Sequence, residues 1–162
     1  MLSIRYLAAA AAFVAPPLLL VSDVLLILFL SEPGLLVQRI ALAMFIVALI
    51  GVAAGARGRA QWQIGGGAAL AVLGALAIVI KQSFLAAPVR PPAVLLPVGL
   101  LVMSGALIGS TVSRRMAALI AAGAILFPLA HQSGVPAALI LCDLLLVVAF
   151  WSIAVAMLRG AA

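Results

Sequence analysis

Long apolar runs, separated by short polar or proline-containing breaks, dominate the chain. A membrane-spanning helix needs about 20 mostly apolar residues, within a range of about 17–25. Six runs approach or meet this length, so the pattern predicts six transmembrane helices. The predicted ranges are 7–30, 35–56, 64–84, 93–112, 116–130 and 136–158. A five-span alternative joins the last two runs, but about 43 residues is too long for one span.

Turn-forming residues mark the breaks between these runs. The segment 31–34, Ser-Glu-Pro-Gly, is predicted to be the turn that closes the first helix. Pro88, Pro91 and Pro92 stop the third helix from continuing into the fourth. Gln-Ser-Gly at 132–134, just before Pro136, indicates a tight connection between the last two helices.

The N-terminal segment has one feature of a signal peptide, since Arg5 precedes an apolar stretch. The apolar core of a signal peptide is only about 7–15 residues long. Here the apolar run continues through Leu30, and Pro16-Pro17 follows the nearest small-residue site. We therefore predict a retained first helix.

Composition supports a membrane protein. Hydrophobic residues make up 69% of the 162 residues and charged residues 7%, whereas soluble domains have about 45–50% and about 25%. A chain of this size cannot hide such an excess in one small core. The predicted fold class is all-α: a polytopic integral membrane helix bundle, with 1–162 as a single transmembrane domain. The abundance of Arg, Ala and Gly, which have GC-rich codons, indicates a bacterial source.

The basic residues predict the orientation. With six alternating helices, one side of the membrane carries six arginines and the other side only Arg39, Lys81 and Arg90. The six are Arg5, Arg57, Arg59, Arg114, Arg115 and Arg159. Cytoplasmic loops carry the excess of Lys and Arg, so both termini are predicted to be cytoplasmic. The net charge of +6 is thus a topology signal.

Cysteine and histidine usage excludes several kinds of site. Cys142 is the only cysteine and His131 the only histidine. No disulfide, thiolate metal cluster or paired-histidine zinc motif can be built from one of each. No Gly-rich loop in the sequence ends in Lys-Ser or Lys-Thr, so a P-loop is excluded as well. We expect no metal and no cofactor.

Small residues four positions apart predict close contacts between helices. Such sets are Gly51 with Gly55, Gly105 with Gly109, Gly67 with Ala71 and Ala75, and Ala117 with Ala121. In a multi-pass chain they serve packing within the chain more often than dimerisation. Three explanations of their spacing stay open: a threefold hairpin repeat, an inverted three-plus-three repeat and chance similarity.

The charged residues inside the predicted helices form the candidate site. Asp23 and Asp143 are predicted about 10 Å below the non-cytoplasmic ends of the first and last helices. Arg39, Lys81 and His131 are predicted in the same half of the bundle. Each buried charge opposes insertion by about 2.5–3.5 kcal/mol, so the two aspartates need compensation.

Two interpretations of this cluster stay open. In the functional one, Asp23 and Asp143 line a polar cavity with Arg39 and Lys81 and form an ion or substrate pathway. In the structural one, the aspartates neutralise Arg39 and Lys81 and fix the register of the helices. His131, without a second histidine, is better explained as a polar helix end than as a metal ligand.

Two functions follow from these interpretations. The first is a small multi-pass transporter or channel-like protein, coupled to protons through the aspartates. The alternative is a non-catalytic accessory or structural subunit of a membrane complex, since the loops are too short for a soluble domain. No enzyme is expected, because the Gly-x-Gly-Asp signature of intramembrane aspartyl proteases is missing at Asp143. Expected partners are the lipid bilayer of the inner cell membrane and helices that pack on small-residue faces, from a second copy or another subunit, with no nucleic acid.

Overall fold

The computed structural model describes residues 4–56, 58–84, 94–108, 114–133 and 135–159. These residues form six α-helices and one short 3-10 turn, and none of them lies in a β-strand. The helices are α1 (Ile4–Ile27), α2 (Ser31–Gly55), α3 (Gln61–Phe84), α4 (Leu95–Leu107), α5 (Arg114–Ser133) and α6 (Pro136–Leu158). Each lies within one of the predicted apolar runs or overlaps most of it. The all-helical prediction is therefore confirmed.

Four helices, α1, α2, α3 and α6, are long and apolar enough to cross a membrane. The described part of α4 is shorter, with 13 residues, and the rest of its predicted range extends into residues outside the description. The surface is also apolar, since Leu73, Leu129 and Val148 are each more than half exposed. Large exposed apolar surfaces are rare on soluble monomers. The long apolar helices and the apolar surface are those of a membrane-embedded helix bundle.

The turn between α1 and α2 lies earlier than the sequence predicts. Phe29 adopts a left-handed backbone conformation with φ 63°. The amide of Leu30 donates to the carbonyl of Leu25 at 2.9 Å, which closes α1. The Ser-Glu-Pro-Gly segment 31–34 then forms the first turn of α2, where a proline loses no hydrogen bond and a glutamate favours the helix dipole.

The six helices form a closed ring. Each helix contacts the next one along the chain, and α6 contacts α1. Neighbours run antiparallel: Gly51 near the end of α2 lies against Ala8 near the start of α1, and Phe13 of α1 lies against Trp151 of α6. We call the end of the ring where α1, α3 and α5 finish the aspartate end, and the opposite end the arginine end.

Aromatic and aliphatic side chains fill the middle of the ring. Phe45 of α2 and Phe150 of α6 are buried, with ring centroids 4.6 Å apart and ring planes inclined by 44°. Met103 of α4 and Ile120 of α5 are fully buried beside this level of the core. The two helices that flank α1 therefore meet through side chains, and the ring has a packed core at this level.

Backbone atoms approach closely where α3 crosses α4. A Cβ atom added to Gly67 would lie 2.7 Å from the amide nitrogen of Met103 and 2.8 Å from the carbonyl oxygen of Gly99. A Cβ on Gly74 would overlap the backbone of Leu96 in the same way. The predicted small-residue face of α3 thus packs inside the chain. By contrast, added Cβ atoms at Gly55 and Gly105 would meet nothing within 4 Å.

Candidate functional site

Asp23 and Asp143 lie where α1 packs against α6, near the aspartate end. Asp143 is one of the buried residues in the first half of α6 and is 5% exposed, while Asp23 is 8% exposed in the last turns of α1. Because α1 ends at Ile27, Asp23 is about 6 Å from its helix end and Asp143 about 10 Å from its own. The two residues are placed together by the antiparallel contact of the first and last helices.

The two carboxyl groups interact directly. The side chains of Asp23 and Asp143 share a hydrogen bond, and each feels the charge of the other. A carboxylate can only accept hydrogen bonds, so a hydrogen bond between two carboxyl groups requires a proton on one of them. The contact therefore brings two buried carboxyl groups, one from α1 and one from α6, within hydrogen-bonding reach of each other.

Two buried oxygen atoms, one in this pair and one beside it, have unused hydrogen-bonding capacity. Within the described residues, Asp143 Oδ2 and Ser22 Oγ are buried and have no hydrogen-bond partner. Other helical serines donate to their own helix, as Ser104 does to the carbonyl of Leu101 at 2.8 Å and Ser152 to that of Val148 at 2.8 Å. An unsatisfied buried polar group costs about 1–3 kcal/mol. Such a cost is typical of a place that water or an ion visits.

Cys142 connects this pair to the neighbouring helix α5. Its thiol donates a hydrogen bond to the carbonyl oxygen of Gly123 at 3.3 Å, and the residue is 1% exposed. It is close enough to Asp23 and Asp143 to feel both charges. The sequence pattern shows Cys142 only as a lone apolar residue, and its hydrogen bond depends on the rotation of α6 that aims Asp143 at α1.

The basic residues of the predicted cluster are distributed differently from the aspartates. Arg39 is half-buried on α2 and Lys81 is half-buried near the end of α3. His131 belongs to the last turn of α5, and its side chain lies outside the description, as does Arg90. The structure therefore brings together the two aspartates and leaves Lys81 outside the pair.

Among the residues that the structure describes, no three or more His, Cys, Asp or Glu side chains come together in a way that could hold a metal ion. The acidic residue outside the pair, Glu32, is exposed in the first turn of α2. Asp23, Asp143, Ser22 and Cys142 therefore form the candidate site, which we call the aspartate site. Its chemistry is that of a buried carboxyl pair with two hydroxyl- or thiol-bearing neighbours.

Fold and site together define a membrane-type, all-helical bundle with a buried pair of carboxyl groups between its first and last helices. No protein-family model, no curated protein and no solved structure matches this chain.

Proposed function

We propose that the chain is a multi-pass membrane protein that moves protons across the bilayer, with the Asp23–Asp143 pair as the proton-carrying group. The observation that carries this proposal is the hydrogen bond between two buried carboxyl groups. Buried acidic side chains in membrane helices commonly mark ion pathways and proton relays. Here the pair takes up and releases its shared proton, and the neighbouring hydroxyl of Ser22 offers the next polar atom.

Charge arithmetic favours one shared proton over two ionised carboxylates at this site. Two ionised aspartates in contact oppose insertion by about 2.5–3.5 kcal/mol each, and like charges add a repulsion. One shared proton removes one of the charges and replaces the repulsion with a hydrogen bond. Loss of that proton is therefore the event that changes the energy of the α1–α6 contact.

Proton flux into liposomes tests the proposal. The purified chain, reconstituted with a pH-sensitive dye inside and driven by a potassium diffusion potential, is expected to carry protons faster than empty vesicles. Asp23→Asn and Asp143→Asn each keep a hydrogen-bonding side chain but cannot exchange the proton. Each is expected to lower the flux about tenfold or more, as removal of a positioned proton-transfer group does.

Glu32→Gln is the matched control, since it neutralises an exposed carboxylate at the same end of the bundle. Its flux is expected to equal that of the unmodified chain. A flux that survives in the Asp23→Asn, Asp143→Asn double variant contradicts the assignment of the pair. No flux above empty vesicles from the folded, unmodified chain contradicts the proposal as a whole.

The second candidate is an accessory or structural subunit of a membrane complex. It is favoured by the outward glycines Gly65, Gly66 and Gly105, where an added Cβ atom would meet nothing within 4 Å. Another helix can approach closely at such positions. Under this alternative the purified chain carries no protons, so the flux measurement separates the two functions.

We further propose that all six helices cross the inner cell membrane and that the arginine end faces the cytoplasm. Arg114, Arg115 and Arg159 are exposed at that end; Arg57 and the side chains of Arg5 and Arg59 lie outside the description. A C-terminal fusion to green fluorescent protein, expressed in a bacterium, is expected to fluoresce. A fusion to alkaline phosphatase is expected to be inactive, and an active one contradicts this orientation.

A further inference from the structure

Two consecutive prolines interrupt the backbone hydrogen bonds of α1. Pro16 and Pro17 lie inside the helix, and neither has an amide hydrogen to donate to the residue four positions earlier. The carbonyl groups of Ala12 and Phe13 therefore lack their usual helical partners. Two successive missing bonds make this the place where α1 bends most easily.

Trp151 of α6 occupies one of these gaps. Its indole Nε1 donates a hydrogen bond to the carbonyl oxygen of Phe13 at 2.8 Å. The rings of Phe13 and Trp151 also touch, with centroids 6.0 Å apart. Trp151 is 45% exposed, so its place is not that of a core filler. The indole supplies from another helix the donor that Pro17 removes.

The same two helices carry the aspartate pair further along the interface. Asp23 follows Pro17 by six residues, about 9 Å along α1. A rotation of about 10° at the prolines moves a point at that distance by about 1.5 Å. A displacement of this size lengthens a hydrogen bond beyond its working range. A bend of this size at the prolines is therefore enough to separate Asp23 from Asp143.

We infer that Pro16-Pro17 is a hinge in α1 and that Trp151 is the positioning residue that sets the hinge so that Asp23 meets Asp143. Trp151 holds the part of α1 before the prolines to α6. The part after the prolines, which carries Ser22 and Asp23, is then free to change its angle. This inference rests on the proposed function only for the role of the aspartate pair. The hydrogen bond from the indole of Trp151 to the carbonyl of Phe13, which we call the cap, is a property of the fold.

A double-mutant cycle tests the cap. Trp151→Phe removes the indole donor and is expected to lower Tm by about 2–10 °C, because a carbonyl that faces lipid then has no hydrogen-bond partner. Pro17→Ala returns an amide hydrogen to the carbonyl of Phe13. In that background Trp151→Phe is expected to cost less than half as many degrees. Equal losses in both backgrounds contradict the cap.

Infrared spectroscopy tests the positioning role independently of stability and flux. The C=O stretching band of the protonated carboxyl pair is assigned by its loss in Asp143→Asn. That band is expected to shift or disappear in the folded Trp151→Phe variant. It should not change in Trp62→Phe, the matched control, because Trp62 is 87% exposed at the start of α3.

An unchanged band in Trp151→Phe overturns the positioning role, whatever the flux. A band that responds to Trp151→Phe while the unmodified chain carries no protons supports the hinge and contradicts the proposed function. The two proposals therefore fail separately.

Discussion

A Gly99→Val variant is expected to lose most of its folded population. A Cβ atom at this position in α4 would lie 2.5 Å from the carbonyl oxygen of Gly67 and 2.8 Å from the Cα atom of Ala71. These are backbone atoms, which cannot rotate out of the way, and valine adds two methyl groups beyond the Cβ atom. Overpacking commonly costs about 1–3 kcal/mol, so we expect about 3 kcal/mol or more here. Thermal unfolding in detergent, with gel filtration for aggregation, measures it.

Gly105→Val is the matched control for this prediction. Gly105 lies on the same helix, and an added Cβ atom would meet nothing within 4 Å. Its Tm is expected to stay close to that of the unmodified chain. Equal melting of the two valine variants contradicts the close contact between α3 and α4.

Phe150→Ala is expected to cost about 2–3 kcal/mol of stability. The ring of Phe150 is fully buried against Phe45 in the middle of the bundle. Truncation of a core phenylalanine costs about 3–5 kcal/mol in water-soluble proteins. The cost is smaller here because lipid also solvates an exposed ring, so the lost packing and the cavity supply most of the effect. Reversible unfolding in mixed detergent measures this difference.

The same substitution at Phe29 serves as the control. Phe29 is 94% exposed in the turn between α1 and α2. Alanine and phenylalanine both carry a Cβ atom, so the left-handed backbone at this position costs about the same energy with either residue. Phe29→Ala is expected to change stability by less than about 0.5 kcal/mol. A loss at Phe29 as large as that at Phe150 contradicts the assignment of the core.

The lengths of the apolar runs predicted six helices because a helix must be long enough to cross a bilayer. Boundaries were harder to predict where proline was involved. Pro33 suits a turn and also the first turn of a helix, and the structure uses it in the helix. The sequence contains no local feature that separates these two uses.

The aspartate site was predicted in part. Helix length and alternation placed Asp23 and Asp143 at one end of the bundle. Their contact depends on how α1 and α6 are rotated about their axes. In a soluble helix an apolar stripe reveals that rotation, but here the core and the lipid are both apolar. The hydrogen bond of Trp151 was missed for the same reason. One signal was present: Pro17 has no amide hydrogen, so the carbonyl of Phe13 needs another donor.

The closed ring has a consequence for the order of assembly. Contacts between consecutive helices form as the chain emerges, but the contact of α1 with α6 joins residues 23 and 143, which are 120 positions apart. At a synthesis rate of about 5–20 residues per second, Asp23 waits about 6–24 s for its partner. During that interval α1 carries an acidic side chain without the carboxyl group of Asp143 beside it. Ring closure by the last helix is therefore also the step that completes the aspartate site.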